Sequence, residues 1–148
     1  LALLADIVLA TPRARFSMSF LKVGLVPDCG AFYTLPRIVG PQRARELMLT
    51  AREVGAQEAL DLGLVMELHA PEALQARAQT LARSFVHASP VAVSLIKRAL
   101  AAPGHDLPTL LELEANAQAL AMGTDEHRAA VQRFLRKEAP AFAWPARG

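Results

Sequence analysis

One cysteine, Cys29, is all the thiol in the sequence. That excludes an internal disulfide framework and makes a reducing compartment, the cytoplasm, the expected one. Net charge is close to absent at +2, and no run of Lys or Arg forms the stripe that nucleic acid needs. The apolar stretches are broken by charges well before a bilayer could be spanned, so no membrane segment is expected. The four histidines, His69, His87, His105 and His127, share no metal-ligand spacing, so no metal is expected. Each reads as a surface or helix-end residue. Aromatic residues amount to only 5%. No Met, signal peptide or polar lead-in opens the chain, which begins directly in Leu1-Ala-Leu-Leu-Ala-Asp-Ile-Val-Leu-Ala10 and reads as an interior cut.

What is present is apolar and helix-forming. The 148 residues suffice for a real core, and 53% of them are apolar, mostly Ala and Leu. Ile7–Ala10 is β-branched and apolar and reads as a buried strand. Thr11-Pro12-Arg13 is a turn, Arg15–Met18 a second strand, and Val23–Pro27 a loop punctuated by Gly24 and Pro27. Asp28 then reads as the N-cap of a short helix, Cys29–Leu35. Further helices are expected over Pro41–Leu49 and Ala56–Leu62, and a strand over Leu64–Leu68.

From Pro71 the pattern turns helical. Leu74, Ala78, Leu81 and Phe85 fall on one face. Ser89-Pro90 opens a helix to about Ala102, ended by Pro103-Gly104. The next helix carries two apolar stripes, one of Leu110, Leu113, Ala117 and Leu120 and one of Leu111, Ala115 and Met122, as a helix between two neighbours would. A last helix from Asp125 bears Val131, Phe134 and Leu135, and the tail Pro140–Trp144 reads as extended. The division is therefore a small α/β portion, residues 1–70, and a helical portion, 71–148.

The informative stretch is Phe16-Ser-Met-Ser-Phe-Leu-Lys-Val-Gly-Leu-Val-Pro-Asp-Cys-Gly30, continued by Leu35-Pro-Arg-Ile-Val-Gly40, Ala44-Arg-Glu-Leu-Met-Leu-Thr50, Ala56-Gln-Glu-Ala-Leu60 and Leu62-Gly-Leu-Val65. This ordered series resembles the crotonase, or enoyl-CoA hydratase/isomerase, superfamily from Leu1 to about Phe142. The resemblance implies an α/β fold: the C-terminal part of a ββα spiral, then a helical oligomerisation region. Chains of the family are about twice this length, and their first half supplies both backbone N–H groups of an oxyanion hole. Such donors stabilise the enolate oxygen formed when a thioester loses an adjacent proton, while a carboxylate moves that proton.

The resemblance also assigns roles. Hydratases use two Glu side chains. One belongs to a Pro-Glu pair that aligns with Ser19-Phe20, and Phe20 cannot transfer a proton. Asp28 stands where many hydratases have Gly, in a Pro-Asp-Cys-Gly context similar to the epoxyphenylacetyl-CoA isomerases of phenylacetate degradation. Asp28 is therefore the expected acid and base of a 1,3 proton shift, with Phe20, Leu25, Val26 and Pro27 walling the acyl group. Lys137 is the expected contact to the nucleotide end of coenzyme A. For each a plainer reading stands beside the functional one: Asp28 a helix cap, Phe20 a core aromatic, Lys137 a solvated helix-end cation. Cys29 reads as a buried structural thiol. No cofactor is expected, coenzyme A being part of the substrate. The partners implied are an acyl-CoA and further copies of the chain, as a trimer or hexamer, in the full-length protein. A hydratase, thioesterase or dehalogenase on the same fold, or a non-catalytic assembly module, are the alternatives.

Overall fold

A computed structural model of the chain describes residues 1–101 and 106–146. The expected end of the helix opened by Ser89-Pro90, Ala102 with Pro103-Gly104, and His105 lie outside the described residues. The structure divides into two compact units, Leu1–Ala78 and Gln79–Gly148.

The first unit mixes short strands and helices. Strands β1 (Leu9–Ala10) and β4 (Glu67–Leu68) pair in parallel, Leu9 beside Glu67 and Ala10 beside Leu68. Strands β2 (Arg15–Ser17) and β3 (Glu53–Gly55) pair antiparallel, with Phe16 opposite Val54. Helices α1 (Ala31–Val39), α2 (Pro41–Thr50) and α3 (Ala56–Asp61) connect them. Two strands are shorter than their apolar runs suggest: Ile7–Ala10 yields two paired residues and Leu64–Leu68 another two. In the second run Leu64 and Val65 instead bend back, both N–H groups donating to the Ala59 carbonyl at 2.8 and 3.2 Å. β3 gave no sequence signal, because Glu53-Val54-Gly55 offers one apolar residue and no period to read.

The core of this unit is Ala10, Leu35, Ala44, Leu47, Val54, Ala59, Leu64 and Val65. Alanine at 44 and 59 leaves room for backbone to approach closely, so Leu35, Val54 and Val65 are enclosed almost completely. α1 carries Pro36 inside it, which removes one helical hydrogen bond. Arg37 spans the same turn, donating to the Tyr33 carbonyl at 2.9 Å while its guanidinium lies 3.4 Å over the Tyr33 ring centre.

Helix α4 (Pro71–Ser84) begins at the residue where the sequence pattern changes, and the division between the units falls within it. The second unit continues with α5 (Pro90–Ala101), α6 (Leu107–Met122) and α7 (Asp125–Leu135), α6 packing on both α5 and α7. Each start is capped. Ser89 Oγ accepts the Ala92 N–H at 3.3 Å, Asp106 Oδ1 that of Thr109 at 3.0 Å, and Thr124 Oγ1 that of His127 at 3.2 Å. Among the described residues none of α5, α6 or α7 is buried. On α6 the half-buried side is Leu110, Leu113 and Ala117, while Leu111, Leu120 and Met122 are more than half exposed. Leu120 thus belongs with the second, open stripe rather than the first. Phe85 packs against Phe142, tilted, and Trp144, edge to face, of the tail, ring centres 5.9 and 5.7 Å apart. No described helix is long and apolar enough to cross a membrane.

Candidate active site

The expected site residues of the first unit occupy one segment between β2 and α1. Ser19–Val23 forms a 3-10 turn that packs against α2. It closes at Gly24, where φ is 71°, a backbone conformation open to glycine. The N–H groups of Gly24 and Leu25 donate back to Leu21 and Phe20 at 3.1 and 3.0 Å, so Phe20 and Leu25 are tied together. After Pro27 the chain reverses again. The Asp28 carbonyl accepts the Ala31 N–H at 2.9 Å, and φ is 50° at Cys29 and 73° at Gly30. Two successive positive φ values define a type I′ turn.

This turn corrects two expectations. Asp28 is not the side-chain cap of the helix: α1 starts at Ala31 with Gly30 at the cap position and no side-chain bond there. The two-residue reversal displaces the carboxylate from the helix N–H groups. Cys29 is not buried, because the first central position of the reversal faces outward, and its thiol is exposed. The neighbouring Asp28 carboxylate favours the protonated thiol and pushes its pKa up.

Asp28 itself is exposed, as are Leu25 and Val26, while Phe20 and Pro27 are half-buried. The segment thus presents one carboxylate among apolar side chains that the chain leaves uncovered, Val26 at 71% exposure and Phe32, in the first turn of α1, at 61%. A cavity of about 230 Å³ in the same unit lies over Leu35 and Leu47, between the first residues and β2, with Arg15 and Arg52 beside it. None of the expected site residues lines it. Lys137 belongs to the second unit. It follows α7 at φ 57°, and its N–H and that of Glu138 donate to Phe134 and Arg133, both at 3.0 Å. This is the double bond of a Schellman helix end, whose left-handed position normally holds glycine. The Lys137 side chain is exposed.

Two charge clusters escaped the sequence reading. Arg52 bridges Glu46 of α2 and Glu58 of α3, with bonds of 2.5 to 3.2 Å. Both carboxyls are held below their usual pKa by that guanidinium. Deeper in the unit, Glu67 on β4 is 6% exposed. Arg77 of α4 donates to both its oxygens at 2.8 Å, and His69 Nε2 lies 2.7 Å from Oε2. An ionised carboxylate only accepts, so Nε2 carries the hydrogen. His69 is therefore no free surface residue. The available signal was a lone Glu inside the apolar run Leu64–Leu68, ten residues before an Arg on the inner face of a helix.

Hydrogen bonds from Arg77, then from His69, lower the Glu67 pKa from 4.5 to about 2. A lowered carboxyl pKa means that the unfolded chain binds more protons between these values. The stabilisation is whole above about 4.5 and falls away as pH drops toward about 2. Urea unfolding of Glu67→Gln should accordingly lose part of the acid slope that the unsubstituted chain shows in that window. Equal slopes would mean the ion pair does not form.

The enoyl-CoA hydratase/isomerase family model matches residues 1–144. The chain is 39% identical over 143 residues to the 1,2-epoxyphenylacetyl-CoA isomerase of Escherichia coli (strain K12), covering 96% of this chain and 55% of that protein. It is 33% identical to the short-chain-enoyl-CoA hydratase of Clostridium acetobutylicum, covering 93% and 53%. Among solved structures it superposes on an enoyl-CoA hydratase/isomerase from Cupriavidus metallidurans CH34 with a TM-score of 0.95 and 54% identity, covering 99% of this chain and 56% of that one. An enoyl-CoA hydratase from Bacillus anthracis gives 0.86 at 30% identity, covering 95% and 55%. The chain thus spans about half the length of the relatives it matches.

Proposed function

The chain belongs to the enoyl-CoA hydratase/isomerase family, and from that premise we propose that it forms part of an acyl-CoA-processing enzyme that isomerises a double bond, or an epoxide-derived ring, in a coenzyme A thioester. The observation that carries the reading is a single carboxylate, Asp28, on the turn before α1, flanked by Leu25, Val26 and Pro27, with Phe20 at the position that would hold a second acid in a hydratase. For a β,γ-enoyl thioester the carboxylate takes a proton from the carbon next to the carbonyl. The electron pair moves into the thioester as an enolate, the double bond shifts, and the same carboxylic acid returns the proton two carbons further on. Nothing is gained or lost, so one carboxylate suffices. Hydration needs a second group to activate water.

The enolate oxygen would be held by backbone N–H donors in a protein of full family length. Lys137 would meet the nucleotide end of coenzyme A. Its support is that a cation with a free-standing, phosphate-seeking head sits at a left-handed position that glycine fills more easily. Copies of the chain would associate through the open apolar stripe of α6 and the exposed Phe134 and Leu135 of α7, as a trimer or hexamer.

The test is the product. A protein of full family length carrying these residues, given a β,γ-enoyl-CoA, should release the conjugated isomer. Accumulation of a 3-hydroxyacyl-CoA from the conjugated thioester as the main reaction would overturn the isomerase reading in favour of a hydratase. In the same assay Lys137→Gly, which keeps the backbone, should raise KM for the coenzyme A thioester about tenfold and leave KM for the pantetheine thioester unchanged.

A further inference from the structure

Glu67 is the one charged residue that is buried among those described, and the proposed proton transfer makes no use of it. We infer that Glu67, Arg77 and His69 form a register key: the cluster fixes which residues of β4 lie beside β1, and where α4 rests on that pair.

The need for a key follows from the strands. β1 and β4 contribute two residues each. Apolar residues precede both, Ile7 and Val8 on one side, Leu64, Val65 and Met66 on the other. A slip of two residues preserves which side chains face inward, so the apolar pattern cannot choose between registers. The charge can. Two residues of strand span about 6.6 Å, and that displacement would carry the Glu67 carboxylate out of reach of a fork whose two bonds are 2.8 Å long. It would leave opposite charges apart at side chains only 6% and 11% exposed, which is strongly disfavoured. His69, two residues along and on the same face, adds its bond to Oε2. The observed register is bracketed by backbone bonds from Met66 N–H to Val8 and His69 N–H to Ala10, at 2.8 and 2.9 Å.

The helix is fixed by the same cluster. Arg77 lies three residues after Leu74 on the first turns of α4, and both side chains are half-buried. Sliding α4 by one turn moves it about 5.4 Å and breaks both arms of the fork. Replacing buried ion pairs by apolar side chains of equal size is often neutral for stability, so the value inferred for this fork is the single arrangement that its geometry permits.

The experiment follows amide exchange and urea unfolding together. Glu67→Gln and Arg77→Met, each removing one charge of the pair, should lower the folding equilibrium constant about 100-fold or more. The joint variant Glu67→Leu/Arg77→Met should fold within about tenfold of the unsubstituted chain. In it the Met66 and His69 amides should nonetheless exchange at least about tenfold faster, while the Ala51 amide, bonded to Leu47, stays as it was. Undiminished protection at Met66 and His69 in the joint variant overturns the key. So does a joint variant as unstable as the single ones, which would make the pair a plain source of stability. Neutral single variants overturn it as well.

Discussion

Replacing Asp28 by Asn should lower kcat for β,γ-enoyl-CoA isomerisation by about 10²- to 10⁴-fold, the range that a positioned acid–base group supplies, in a protein of full family length carrying these residues. The substitution is nearly isosteric. The Asp28 carbonyl still closes the reversal on Ala31, so the turn should survive. What is lost is the capacity to hold and return a proton. KM should move little, because the contact proposed for the nucleotide end of the substrate is Lys137. Steady-state kinetics with circular dichroism of the same sample separates loss of chemistry from loss of fold. A folded Asn variant with unchanged turnover would remove Asp28 from the mechanism. The exposure of Asp28 in this chain sharpens the test: the apolar surroundings that favour proton transfer must be completed by residues beyond Leu25, Val26 and Pro27.

The largest effect on stability is expected at Leu35. It is 1% exposed, at the centre of the first unit. Its neighbours in that core include Ala44 and Ala59, which have no side chain to swing into a void. Leu35→Ala should therefore cost about 3–5 kcal/mol, the upper part of the range for buried leucines. Phe32, three residues earlier on the same helix, is larger but 61% exposed, and Phe32→Ala should change stability by no more than about 0.5 kcal/mol. Denaturant midpoints at constant slope distinguish the two. If Phe32 mattered as much as Leu35, the face that α1 turns inward would have been assigned wrongly. Because α1 begins directly after the turn bearing Asp28, Leu35→Ala should also speed exchange of the Ala31 amide.

The sequence made the helices legible and left the charges obscure, for physical reasons. Pro71, Ser89-Pro90 and Asp125 announce helix starts through fixed φ values, a capping hydroxyl and an acidic first turn, and α4, α5 and α7 begin there. The strand ends were not legible, since pairing of two or three residues is decided by partners distant in sequence. The segment from Phe20 to Asp28 could be located by its resemblance to a family. Its conformation could not, because a type I′ turn is normally signalled by Asn-Gly or Gly-Gly, and Cys29-Gly30 carries only half of that signal. The Glu67 cluster was hidden for the opposite reason. Its members are ordinary surface residue types, and only the folded chain brings Arg77 back over β4. Lys137 was legible as a cation at a helix end, but nothing in the sequence shows that it takes a left-handed backbone.

The packing of Phe142 and Trp144 against Phe85 gives the second unit a built-in optical probe. Trp144 is the chain's single tryptophan, so every photon of indole emission comes from a ring held edge-on to Phe85 and 41% open to water. Release of the tail would expose that ring fully and shift its emission to the red. The first unit has no indole and stays dark at these wavelengths, so fluorescence follows undocking of the tail while circular dichroism follows the chain as a whole.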